Sequence, residues 1–385
     1  MSKLEAVGII TEYNPFHNGH LHQLNVIKEK APTACIVVVM SGNFLQRGEP
    51  ACLDKWTRAK EALVNGVDLI IELPPQACIQ PADRFAFNGV NGLASLGVDY
   101  LVFGAEHAEY DFMNYASQVQ GLKGEFKKYN QSYAASIQAA ITQALGHELA
   151  EPNDLLALAY AKANLKLGSP LKLQPIQRIQ AGYHELALKA GQQIASASAI
   201  RSNYQQGRLA ELRTYVPHET YADLSDNSLV FWDDFWPFLR YKLLTTTPKE
   251  LANIYGMAEG IEYRLVQKAN ELAHGSSFDD WLHAVKTKRF TYTRLARLAV
   301  AMLLNLQTED ITSYNEAPYF RLLGFTKRGQ EYLNAKKKQF TYPLVTKVTQ
   351  KDAKGPLAVD YRVGKLYQSL TGKEQDLKKA PLRIF

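Results

Sequence analysis

Short apolar runs rich in β-branched residues recur four times in the first 105 positions, at residues 6–10, 35–40, 67–73 and 100–103. They are continuous rather than alternating, the pattern of strands covered on both faces. Helix-like segments at about 19–31, 53–65 and 83–96 separate them. The order predicts β-α-β-α-β-α-β around a parallel sheet, an α/β fold of the Rossmann-like kind. Residues 111–167 read as a helical insertion, broken near Gly121–Gly124 and Gly146–Pro152. A further strand-like run, 171–178, leads to a small-hydroxyl segment in which Ser198 is the expected N-cap of a short helix over 199–206.

Near 214–230 the α/β pattern stops. Residues 228–275 and 278–306 read as helices broken at Pro248 and at Gly275–Ser277. Leu295, Leu298, Met302 and Leu306 give the clearest helical face, at steps of three and four. The tail, 318–385, mixes a short helix, a lysine cluster and one or two strands. The expected organisation is a catalytic domain over 1–215, with the helical insertion at about 111–167. A mainly helical, basic region with a small mixed tail follows over 216–385.

Ligands of open parallel sheets bind at the carboxyl ends of the strands. That directs attention to the loops 11–20, 41–52, 73–82 and 104–110. The first holds Tyr13-Asn14-Pro15-Phe16-His17-Asn18-Gly19-His20, between a strand and a helix. Two imidazoles three residues apart share one face of a helical turn. Gly19 lets a nucleotide approach the backbone, and the helix N-terminus attracts anions. His17 and His20 are placed to stabilise negative charge on the phosphates during adenylyl transfer. Ser196, Ser198 and Arg201 can grip the β- and γ-phosphates through N–H, O–H and guanidinium groups. The loop 41–50 is polar, with Arg47 able to meet an anion. Lys55 and Arg58 open the next helix at the end its dipole disfavours for cations, which suggests a bound anion or a nearby acidic partner. Gly104 ends the fourth strand, where a flat ring could lie. Asn153 and Asp154 start a helix and read as caps first.

Composition narrows the class. The 385 residues are 46% hydrophobic and 21% charged, as in globular proteins. No apolar run reaches the roughly 20 residues of a membrane span, and no signal-peptide core precedes the first strand. Cys35, Cys52 and Cys78 fit neither a zinc pattern nor a disulfide framework, so a reducing cytoplasm is expected. The net charge of +6 is lopsided: residues 1–150 carry 11 Lys+Arg against 15 Asp+Glu, and the remainder 33 against 23. Within that basic part, Lys286, Lys288, Arg289, Arg294 and Arg297 interleave with Phe290 and Tyr292. Cations for phosphate and aromatic rings for stacking suit RNA. Lys327, Arg328 and Lys336 to Lys338 add to that expected patch. There is no P-loop, dinucleotide fingerprint or Gly-x-Ser-x-Gly elbow.

These segments together resemble the bacterial tRNA(Met) cytidine acetate ligases of the HxGH nucleotidyltransferase superfamily. The string Glu-Tyr-Asn-Pro-Phe-His-Asn-Gly-His, 12–20, carries most of the specificity. The likeness runs through 286–297 and 319–324. It implies a Rossmann-like nucleotidyltransferase domain of the HUP type followed by a mainly α-helical domain. It implies activation of acetate by ATP to acetyl-adenylate, then acetylation of N4 of the wobble cytidine of elongator tRNA(Met). By carry-over, ATP would contact Val7, Gly8, Ile9, Ile10, Thr11, Glu12, Tyr13, Asn14, Pro15, Phe16, His17, Asn18, Gly19 and His20, with Gly104, Asn153, Arg178, Ser196 and Ser198. His17, His20 and Arg201 would be catalytic. Ala197 departs from the family's Ser-Ser-Thr-x-x-Arg pattern and removes one hydroxyl. Magnesium is expected from the pyrophosphate chemistry, with no carboxylate singled out as its ligand. No obligate protein partner is called for. Charge reversal at Arg294 and Arg297 is expected to weaken tRNA binding and spare acetyl-adenylate formation. Two rival readings stand beside this one: a small-molecule adenylyltransferase of the same superfamily, and a non-catalytic RNA-binding protein.

Overall fold

The computed structural model describes residues 5–122, 133–179, 188 and 191–385. Its strands are β1 (Ala6–Thr11), β2 (Cys35–Ser41), β3 (Leu69–Leu73), β4 (Tyr100–Ala105), β5 (Lys172–Gln177), β6 (Phe320–Thr326), β7 (Leu344–Val345) and β8 (Leu382–Ile384). They form one sheet in the order β5-β4-β1-β2-β3-β6-β7, with β8 paired to β6. Every pairing is parallel except β3 with β6. The chain runs outward from β1 in one direction through β2 and β3, and in the other through β4 and β5. The switch point therefore lies at the carboxyl ends of β1 and β4, where such sheets leave a ligand crevice.

Continuous apolar runs follow from burial on both faces. Along β1 and β2, Ile10, Val37 and Val39 pack into one cluster with Leu93 and Leu101. Val7, Ile9, Val38 and Met40 pack into the other, with Leu24 and Ile27 of the helix Asn18–Lys30. Gly8 is required by packing. A Cβ there would come within 2.8 Å of both Leu93 methyl carbons on the helix Ala82–Ser95.

The helical part has its own core. Trp232–Thr245, Ile261–Glu271, Phe278–Val285 and Tyr292–Leu303 enclose Phe235, Leu239, Trp281, Leu295 and Met302. Two breaks go beyond those expected. One is at 252–260, closed by Gly260 in the left-handed region at φ 72°. The other is at 286–291, where Thr287 and Phe290 close a turn through Thr287 N–H to Phe290 O at 3.2 Å. The tail also holds more order than its sequence suggested. It contributes three short strands and the helix Ala358–Thr371, and β6 extends the same sheet as β1. Residues 123–132, including the expected break at Gly124, lie outside the described residues. Among the described residues no helix is long and apolar enough to cross a membrane.

Candidate active site

The loop after β1 holds its two imidazoles through their Nδ1 atoms. His17 is the N-cap of the helix Asn18–Lys30, its Nδ1 accepting from Gly19 N–H at 3.0 Å. His20 Nδ1 in turn accepts from His17 N–H at 3.2 Å. The rings stack with centroids 3.8 Å apart, and Tyr13 closes on His20 edge-on at 4.8 Å. With Nδ1 accepting in both, a neutral imidazole must carry its proton on Nε2. Burial, aided by Arg178 and Arg201, pushes His17 down to about 3. Burial, His17 and Arg178 push His20 well below its ordinary value. The pair is thus two neutral Nε2–H donors, preorganised for an anion.

Arg201 is drawn to the same loop from the other end of the sheet's chain. Its Nη1 donates to Asn14 O at 2.7 Å and its Nη2 to Glu49 Oε2 at 2.9 Å. It sits on the helix Ala197–Gln205, whose N-cap is Ser196 and not the expected Ser198. The Ser196 hydroxyl reaches Ala199 N–H at 3.0 Å, and Ser198 Oγ lies 3.2 Å from it. Asn18 ties this segment down, its amide donating to Gln193 O at 2.8 Å and Thr214 O at 2.9 Å. That side chain is committed to the scaffold.

The loop 41–52 is held by buried charge. Arg58 donates to the carbonyls of Glu12, Ser41, Gly42 and Leu53, so it clamps the two loops together. Lys55 meets Glu72 at 2.9 Å and Asp376 at 3.0 Å. The acidic partner anticipated for Lys55 is therefore internal. On the loop's far side, Trp232 Nε1 donates to Gly48 O at 2.8 Å. A Cβ on Gly48 would lie 2.4 Å from the backbone of Ala296 and Arg297.

At the end of β4, Glu106 accepts from the backbone N–H groups of Asn153 and Asp154, each at 3.1 Å. Asp154 accepts in return from Glu106 N–H at 2.9 Å. This exchange caps the helix Pro152–Lys166 and sets Arg178 Nε 3.6 Å from Glu106. Gly104 gives room here, since a Cβ would approach Arg178 Cγ at 3.2 Å. Gly104, Asn153 and Arg178 are thus brought together. Thr11, at the end of β1, leads into the histidine loop, whereas Val7, Ile9 and Ile10 turn their side chains into the core.

The basic segment is partly committed. Lys286, Lys288 and Arg289 are exposed. Arg289 pairs with Glu259, and Arg294 lies 3.6 Å from Glu259 and 4.8 Å over the Phe290 ring. The backbone of Arg297 faces Gly48, and its guanidinium is influenced by Arg47 and Arg294. Lys327 and Arg328 do not join this patch. Arg328 donates to Pro32 O and Ala34 O, ahead of β2, and Tyr332 on the same helix to Leu96 O, ahead of β4. That helix sits at the amino ends of the strands, opposite the site.

Sequence reading missed Tyr367 and Gln375 and gave Asn43 no role of its own within the loop 41–50. Tyr367 donates its hydroxyl to Asn43 O and Ala51 O, and Asn43 donates to Gln375 Oε1 at 3.2 Å. The tail thereby supports the loop 41–52 across more than 300 residues, which no local pattern announces. A cleft of about 1160 Å³ lined by Phe87, Asn88, Asn91, Lys162, Lys166 and Tyr342 lies elsewhere, and neither histidine lines it.

A family model described as HIGH Nucleotidyl Transferase matches residues 4–380. The tRNA(Met) cytidine acetate ligase of Ligilactobacillus salivarius is 56% identical over 98% of this chain and 100% of that protein. The enzyme of the same name from Leuconostoc citreum is 44% identical over 99% and 98%. Among solved structures, apo Thermotoga maritima TmcAL superposes with a TM-score of 0.88 at 29% identity, covering 99% of both chains. The same protein bound with alpha-thio ATP gives 0.86 at 28% identity, again covering 99% of both.

Proposed function

The chain belongs to the HIGH nucleotidyl transferase family and, within it, to the tRNA(Met) cytidine acetate ligases; from that premise we propose how its residues carry out the reaction. The enzyme is an ATP-dependent ligase that activates acetate as acetyl-adenylate and acetylates N4 of the wobble cytidine of elongator tRNA(Met). The observation that carries the mechanism is the Nδ1-anchored pair His17 and His20, with Arg201 hydrogen-bonded to the same loop at Asn14 O.

ATP lies along the carboxyl ends of β1 and β4. The Nε2–H groups of His17 and His20 point to the phosphate chain. The acetate oxygen attacks the α-phosphorus, and negative charge grows on the phosphate oxygens and on departing pyrophosphate. Neutral donors already in position stabilise that charge without reorganising. Arg201 and the Ser196–Ser198 hydroxyls hold the β- and γ-phosphates, and Ala197 leaves the backbone N–H groups to replace the missing hydroxyl. Asn153 and Arg178 flank the adenosine side beside Gly104. Magnesium comes with the ATP phosphates, where it needs few protein ligands.

Acetate by itself is a poor electrophile, and adenylation gives it a good leaving group. The cytosine amine is a weak nucleophile, so its placement governs the second step. Lys286, Lys288 and Arg289 would grip the anticodon stem-loop, with the wobble base unstacked into the site. Because Arg297 packs against the 41–52 loop, its contribution is shared between RNA and the nucleotide site. The reaction belongs in the cytoplasm, where charged and uncharged tRNA meet ATP. Acetate-dependent exchange of pyrophosphate into ATP, without RNA, tests the first half-reaction. Exchange that ignores acetate would defeat it.

A further inference from the structure

The second half-reaction requires a proton acceptor. As the amine nitrogen bonds the acetyl carbon, the carbon–oxygen bond to the adenylate phosphate breaks. AMP leaves with that electron pair, and the nitrogen must lose a proton. His17 and His20 cannot take it, because each spends Nδ1 on a backbone N–H and presents Nε2–H as a donor. Resting on the acetate-ligase reading, we propose that Glu12 is the general base of acetyl transfer, receiving that proton on Oε2 and passing it to solvent.

Glu12 follows the last residue of β1, at the mouth of the crevice. Its main chain is fixed by the Arg58 guanidinium, which donates to Glu12 O. Its Oε1 is fixed by Gln46 N–H at 2.8 Å. Among the described residues, Oε2 takes no hydrogen bond, and the side chain is only half buried. The other carboxylates around the loop are engaged. Glu49 is paired with Arg201, Glu106 caps the helix at Asn153, Asp154 holds His107, and Glu72 holds Lys55. Glu49 also keeps one oxygen open, but it is tied to the Arg201 cation; Glu12, held at Oε1 by a backbone N–H, is the better positioned of the two as a proton acceptor.

Its surroundings suit the task. Burial raises its proton affinity and Glu49 adds to that, while the Gln46 N–H, Arg47 and Arg201 restrain it. Cys78 and Tyr160 on the flanking elements lie within electrostatic range of it. A carboxylate more basic than usual is the better proton acceptor near neutral pH.

The test uses the full-length enzyme carrying Glu12→Gln, which keeps an oxygen for Gln46 N–H. Acetate-dependent pyrophosphate exchange reads the first step. Single-turnover transfer from preformed acetyl-adenylate to tRNA reads the second. Glu12→Gln should lower transfer at least about 100-fold more than it lowers exchange, the span of a positioned base. A general base at Glu12 predicts a transfer rate that rises with pH in the parent enzyme; Glu12→Gln should abolish that rise, and Glu12→Asp should recover part of both effects. A parallel fall in the two steps overturns the proposal, as does an unchanged pH profile in Glu12→Gln. Failure of the parent enzyme itself to exchange with acetate would strike the acetate reading instead, and is told apart by that.

Discussion

Glu49 and Arg201 hold each other at 2.9 Å beside the histidine loop. The carboxylate occupies one edge of the guanidinium that the proposed mechanism turns towards the β- and γ-phosphates. ATP must displace it, so the pair opposes binding by the modest amount a partly exposed ion pair supplies, about 0.5–1 kcal/mol. Glu49→Gln should tighten ATP binding roughly 2- to 5-fold, and Arg201→Ala should weaken it whether or not Glu49 is present. Titration calorimetry of the two single variants and the double variant checks this. Weaker binding in Glu49→Gln would show that the pair organises the site instead.

The histidine pair predicts a separation of fold from chemistry. Asparagine at 17 can still cap the helix but lacks the Nε2–H donor. His17→Asn should retain the melting temperature near pH 7 and lose about 10²- to 10³-fold in the rate of acetate-dependent exchange.

Those imidazoles also set a pH dependence. His17 is held near 3 when folded and lies near 6.5 when unfolded. Between those values the unfolded chain binds a proton the folded one refuses, so stability of the ligand-free enzyme falls as pH drops below about 6.5. His20 acts in the same direction. Thermal unfolding at pH 7, 6 and 5 should show the decline, and His17→Asn should make it shallower. An identical slope would mean that His17 is charged in the folded state.

RNA binding should divide the basic segment. Lys286→Ala and Lys288→Ala each should reduce the slope of log affinity against log salt by about 1 if they meet phosphate, with exchange unaltered. Arg297→Ala should disturb exchange as well, because its largely buried guanidinium lies within electrostatic range of Arg47 in the loop 41–52. The tRNA affinities are read by filter binding across a salt series.

The tail's buried charges predict a stability effect. Asp376 meets both Lys55 and Arg321, and all three are nearly inaccessible. Asp376→Ala leaves Lys55 and Arg321 with Glu72 as their remaining ion-pair partner and should cost about 3–5 kcal/mol in urea unfolding. A loss below 1 kcal/mol, of the order of an exposed pair, would contradict this.

Strands β1 to β4 were legible because they are short, apolar and buried on both faces, so their runs need no partner to be read. The meeting of His17, His20 and Arg201 at one loop was foreshadowed because paired histidines at a helix start and a small-hydroxyl turn followed by arginine keep fixed steps along the chain. What stayed hidden depends on long-range packing. Nothing local marks β6 as a neighbour of β3, or Tyr367 as the donor to Asn43 O. Ser198 was misjudged as the cap because Ser196 and Ser198 carry the same hydroxyl, and only the backbone path decides which one reaches Ala199 N–H. The basic patch was overdrawn because charge along a sequence does not tell which end of the sheet a helix covers, and Arg328 lies at the opposite one.

The most direct test of the account is to incubate the enzyme with ATP, magnesium, labelled acetate and total bacterial tRNA, and to locate the label. The account predicts ATP-dependent label on N4 of a single cytidine, at the wobble position of elongator tRNA(Met), and none when ATP is omitted. Acetate-dependent exchange with no label in RNA, or label spread over other tRNAs, would contradict it.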